Sequence, residues 1–274
     1  MRFINRKIFY VRAGYFKPKL FTLSVMNRRL NTGILLLFLL WFTACESTYQ
    51  SQQVKYSNYK INDSLSKDSS LSMLVQPYAD SVHARMNKVI AVSETTLDRK
   101  QPEGSLGNLV VDAIFVEGKK QFSSGIDAAV MNNGGIRLNT LAAGDITLGK
   151  AFELAPFDNM LVLLTVPGNV LQELCDHISS LGGWPVANMS WQIKDKKAVN
   201  LLIGGLPLDL NKSYKILTND YVANGGDYCE MLRPLQQQTN GYLLRDALIG
   251  YLTGFTKAGK KVTSKIENRI TDAN

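Results

Sequence analysis

From Leu71 onward, stretches whose apolar residues recur every three or four positions alternate with short unbroken apolar runs. The first pattern suits a helix with one buried face and the second a strand buried on both faces. "LSMLVQPYADSVHARMNKVIAVS" predicts an amphipathic helix through Leu74, Tyr78, Val82, Met86 and Val89. "GNLVVDAIFVEGKKQF" predicts a second helix, and "IDAAVMN" a strand. A short helix in "GDITLGKAFELAPF", a strand in "NMLVLLTVP" and a helix in "NVLQELCDHISSLGG" follow. Then come strands in "ANMSWQIK", "VNLLIGG" and "YKILTNDYVA", and a closing helix in "LLRDALIGYLTGF". Such interleaving over about 200 residues implies an α/β fold: a single domain with a mixed β-sheet packed by helices.

Two of the strands run into the same tripeptide. "VMNNGGIRLN" (130–139) and "YVANGGDYCE" (221–230) each place Asn-Gly-Gly after an apolar run, followed by Arg137 in one and Asp227 in the other. Gly134 and Gly135, like Gly225 and Gly226, carry no Cβ, so the backbone there can approach a ligand and adopt positive φ. The Arg137 fork suits a phosphate or ribose oxygen, whereas an ionised Asp227 can only accept and suits a pair of hydroxyls. Donors at one turn and acceptors at the other match a sugar carrying a phosphate. Two ordinary loop turns with solvated charges remain the alternative on spacing alone.

The formal charge of +8 needs locating before it is used. Residues 1–45 hold eight Lys or Arg and no Asp or Glu, leaving 23 basic and 23 acidic residues in 46–274. A neutral body carries no argument for nucleic acid as a partner. The leader itself reads as a signal peptide whose true start is Met26: "MNRRLNTG" supplies positive charge and Ile34–Phe42 a nine-residue apolar core. Nine residues fall far short of the roughly 20 that span a bilayer. "FTAC" resembles a bacterial lipobox, making Cys45 the lipidation site and placing the protein in the cell envelope, attached to a membrane by lipid; cleavage near Ala44 by an ordinary signal peptidase is the alternative. Residues 46–70 form a polar, Ser-rich tether with one strand expected around "KYSNYKI", and residues 71–274 form the domain.

Cys175 and Cys229 remain after Cys45, enough for one disulfide and no dense framework. Cys175 packs on its helix rather than reacting, and His177, two positions on, points to another side. His83 reads as a surface or half-buried helix histidine.

"GNLVVDA", "MNNGGIR", "GDITLGKAFELAPFDN" and "NDYVANGGDY", in that order, closely resemble the C-terminal domain of the bacterial and animal 5′-nucleotidase family, which includes periplasmic UDP-sugar hydrolase. The resemblance runs from about Leu71 to Ile270. It implies a domain that holds the nucleoside part of a nucleotide, with the base stacked between Phe157 and Tyr221, the latter commonly Phe in relatives. It also implies that Asn132 and Arg137 make polar contacts at the first turn, Asp227 accepts from the ribose hydroxyls and Asn159 lies near the base edge. Asn133 stands where many relatives have a third glycine, and Arg99 and Lys100 are no clear counterpart of an arginine that relatives place nearer the glutamate.

In that family a separate N-terminal metallophosphoesterase domain cuts the phosphate with two metal ions. This sequence has two histidines, His83 and His177, and neither Asp-x-His nor Gly-Asn-His. The expectation is a substrate-binding chain with no catalytic residues, no metal ligands and no cofactor of its own, inactive alone. It would act as the recognition half of a split 5′-nucleotidase, a separately encoded metallophosphatase supplying the divalent metals. A non-catalytic nucleoside- or nucleotide-binding lipoprotein is the second reading, and a scaffold with a disused pocket the third.

Overall fold

The computed structural model describes residues 56–60, 62 and 65–273. The leader read as a signal peptide, Cys45 and about half of the expected tether lie outside them. The chain divides into a unit ending at Ser66 and a compact unit from Lys67 to Asn274. Of "KYSNYKI", residues 56–60 are described and take no regular structure, so the strand expected there is not found among them.

In the compact unit, α1 (Ser69–Met86) leads into β1 (Val89–Ser93), β2 (Leu97–Asp98) and α2 (Ser105–Gln121). β3 (Ala128–Val130), β4 (Thr140–Leu141), β5 (Gly144–Thr147) and α3 (Leu148–Leu154) precede β6 (Leu161–Pro167) and α4 (Gly168–Ser180). β7 (Val186–Ala187), β8 (Met189–Lys194), β9 (Lys197–Ile203) and β10 (Leu206–Pro207) then lead to β11 (Ser213–Asn219) and α5 (Asp220–Ala223). β12 (Gln237–Gln238), α6 (Leu244–Lys257) and β13 (Ile270–Asp272) complete it.

The central sheet has the order β12-β6-β11-β3-β7, with β11 and β3 parallel and the other pairs antiparallel. Its strands read as unbroken apolar runs because both faces are covered. Along β6, Leu161 and Leu163 join one core cluster while Val162, Leu164 and Val166 join the other. The first cluster holds Leu109, Ile114, Leu248 and Leu252 from α2 and α6. The second holds Leu171, Leu174 and Ile178 of α4, with Trp191 and Ile203 of a further sheet, β10-β9-β8-β13.

The central sheet is the mixed sheet packed by helices that the sequence implies, and the four-stranded second sheet and the two-stranded ribbons β1-β5 and β2-β4 accompany it. "ANMSWQIK" is split because Asn188 takes φ 56°, turning the chain out of the central sheet at Ala187 and into the second at Met189. The first helix also differs from expectation. It ends at Met86, and Val89 opens β1 opposite Thr147 of β5. None of its residues is buried, and Leu74, Tyr78 and Val82 are 67%, 73% and 53% exposed. Periodicity marks an apolar face, but nothing in the compact unit covers this one.

Candidate functional site

Parallel pairing of β3 with β11 explains why two turns far apart in sequence meet. The register Ile216↔Ala128 and Leu217↔Ala129 brings both strands to the same sheet edge, where β3 runs on into Asn132 and β11 ends at Asn219. β6 is antiparallel to β11, with Leu161 opposite Asn219, so the loop entering β6 arrives at that edge too and delivers Phe157 and Asn159. Crevices beyond the carboxyl ends of parallel strands are where α/β proteins place ligands. Here Asn132, Gly134, Gly135, Arg137, Phe157, Asn159, Tyr221 and Asp227 line one cavity of about 360 Å³. Gly225 and Gly226 line a shallower neighbouring hollow that shares Asn159 and Tyr221.

Buried amides fix the polar wall. Asn219 caps α5 by accepting from the Val222 N–H (2.9 Å), and its Nδ2 donates to Asn132 Oδ1 (3.0 Å). That orients Asn132, whose Nδ2 donates to Asp227 Oδ2 at 2.6 Å. The Tyr221 hydroxyl donates to Asp227 Oδ1 at 3.0 Å and accepts from the Asp227 N–H at 3.3 Å. This bond to the carboxylate holds the Tyr221 phenol above the ordinary tyrosine range. Asp227 and Tyr228 both occupy the left-handed region, φ 51° and 63°, which is unfavourable for side chains of this size. His177 Nε2, 2.7 Å from the Asp227 carbonyl, pins that backbone from α4.

The apolar wall is two half-exposed rings. Phe157 and Tyr221 are each 48% exposed, and the Arg137 guanidinium lies 5.7 Å from the Phe157 ring centre while donating to the Gly134 carbonyl (3.2 Å). Arg245 of α6 holds the Phe157 loop from below: its guanidinium donates to the carbonyls of Ala155, Pro156 and Phe157, pairs with Asp158 and stacks on Phe152.

The four glycines sit in different surroundings. Gly134 presents open backbone to the cavity; a Cβ there would lie 3.5 Å from Asn132 Nδ2 and 3.8 Å from Asp227 Oδ2. Gly135 is packed against the Met131 methyl, and neither it nor Gly134 uses positive φ. Gly225 needs its φ of 89°, and Gly226 makes room for the Tyr221 ring, whose carbons would lie 2.5–2.6 Å from an added Cβ. At Gly135 and Gly226 a neighbouring side chain fills the space that a Cβ would take.

Arg99 donates to the carbonyls of Asn133 and Ile136 and to Asn139 Oδ1, so it braces the first turn from behind. Asn219 and Arg245 are supporting residues that sequence reading passed over, and His177, read there only as pointing away from Cys175, is a third. Asn219 alone carried a signal, as an Asn immediately before a short helix. Cys175 and Cys229 are both buried free thiols, and burial pushes both up, Cys229 to about 12. Among the described residues, the side chains do not fit a dinuclear metal centre. His177 is engaged with a carbonyl, His83 lies on exposed α1, and no group of three or more potential ligands converges among the described residues.

The family model of the 5′-nucleotidase C-terminal domain matches residues 84–234, more than half of the chain. The chain belongs to that family. A 5′-nucleotidase of Vibrio parahaemolyticus is 29% identical over 212 residues, which cover 72% of this chain and 34% of the relative. The protein UshA of Escherichia coli is 34% identical over 144 residues, 49% of this chain and 23% of the relative. Among solved structures, the 5′-nucleotidase precursor of Thermus thermophilus superposes with a TM-score of 0.64 at 28% identity, over 74% of this chain and 43% of that one. This 5′-nucleotidase C-terminal domain chain thus spans about a third or less of the curated relatives' length. No helix among its described residues is long and apolar enough to cross a membrane.

Proposed function

We propose that this chain is the nucleoside- and nucleotide-recognition component of a split 5′-nucleotidase, held at the cell envelope by a lipid on Cys45. One observation carries the reading: the first Asn-Gly-Gly turn, Tyr221 and Asp227 flanking the second, and the Phe157 loop line a single cavity of about 360 Å³ with two half-exposed aromatic rings and a fixed carboxylate. A base stacked on Phe157 and Tyr221 contributes roughly 1–3 kcal/mol per ring contact whatever its identity. The sugar then meets Asp227 and Asn132, and Arg137 reaches the sugar or the phosphate ester. Phosphate cleavage belongs to a metallophosphatase on another polypeptide, a reading supported by the lack of any convergent group of three or more potential metal ligands among the described residues. Such a partner would hold two metals and activate water.

Affinity capture of the full chain from its native membrane tests the split. Recovery of a metallophosphatase together with 5′-nucleotidase activity is the expected result. Nucleoside binding with no co-purifying phosphatase would favour the non-catalytic binding lipoprotein.

A further inference from the structure

We propose that the site takes 2′-deoxyribonucleosides about as readily as ribonucleosides, and that the Tyr221 hydroxyl sets this tolerance. The inference rests on the reading that a nucleoside sugar lies against Asp227. A site rejects an analogue lacking a hydroxyl when the missing group leaves a desolvated partner unpaired. Asp227 is never left so. Its Oδ2 takes the Asn132 amide at 2.6 Å and its Oδ1 takes the Tyr221 hydroxyl at 3.0 Å, both from within the chain.

Neither donor can readily turn away. Asn132 is held by Asn219, which is itself held by the Val222 N–H. The Tyr221 ring rests on Gly226, and its hydroxyl is engaged from the other side by the Asp227 N–H. Hydroxyls of a ribose would add third and fourth bonds to a charge that two donors already share. The loss of one therefore exposes no orphan acceptor. A phenylalanine at 221 keeps the ring but strips Oδ1 of its internal donor, so that oxygen then depends on the ligand.

Isothermal titration of the full chain with adenosine and 2′-deoxyadenosine, for the parent and for Tyr221→Phe, tests this. The parent's two dissociation constants should agree within about threefold, and Tyr221→Phe should widen their ratio at least threefold further by weakening the deoxy ligand. A parent ratio above about threefold, or a ratio that Tyr221→Phe leaves unchanged, overturns the inference. So does a Tyr221→Phe variant that binds neither ligand, since only a hydroxyl has been removed. If the parent itself binds neither, it is the nucleoside reading of the cavity that fails, a result distinct from the other three.

Discussion

Asp227 concentrates the site's chemistry because its neighbours fix it on every side: Asn132 and Tyr221 hold its carboxylate, and Tyr221 and His177 hold its strained backbone. The tyrosine bond has a pH signature. A phenol whose folded-state pKa is raised is bound more tightly in its protonated form, so the bond's contribution is complete below the ordinary value of about 10 and is lost as pH rises through the raised one. A difference titration of the parent against Tyr221→Phe should place this tyrosine above about 10, and Asp227→Asn should bring it down. Arg245 acts at a distance from any ligand. Arg245→Ala strands three loop carbonyls and should cost about 2–3 kcal/mol in a denaturant melt, together with weaker adenosine binding. Arg245→Lys should recover little of either, having one point of charge in place of a planar fork.

At the scale of elements, Gly226→Ala should disturb the site as much as removal of the Tyr221 ring, because an added Cβ would occupy the ring's resting place. Adenosine affinity of the two variants should match; retained affinity in Gly226→Ala would show that the ring has another place to stack. α1 should behave differently from the rest. With no buried residue, its amides should exchange far faster than those of α2, where ten residues between Leu106 and Gly118 are buried, because an isolated helix of this length is marginal in water. These cases also mark what was legible beforehand. The larger strands and helices from Gly107 to Phe255 were readable because their periods are imposed by burial on the two sides of the central sheet, whereas the short strands β4, β5, β10 and β12 carry no such period. The break at Asn188 was not readable either, since a single left-handed residue leaves no trace in hydropathy. Pairing of β3 with β11, 88 residues apart, has no local signature, so the meeting of the two turns rested on resemblance until the register was seen. The polar and aromatic site residues were named from motifs, whereas Arg245 lies in a helix that reads only as core packing.

At the scale of the whole molecule, two expectations follow from a recognition chain anchored by lipid. Cys45→Ser should move the protein from the membrane fraction to the soluble one, since a bilayer-spanning apolar stretch of roughly 20 residues is absent from the described helices. The purified chain with Mn²⁺, Co²⁺ or Zn²⁺ should release no phosphate from AMP, and metal-dependent release that is lost on substitution of a cavity residue would place catalysis in this polypeptide. More central than either is the claim that the cavity between the turns holds a nucleoside. Isothermal titration of adenosine into the full chain and into Phe157→Ala tests it most directly. Saturable one-to-one binding that weakens by about 1–3 kcal/mol in the variant is the predicted result. Absence of binding to the parent, or equal affinity in parent and variant, would contradict it.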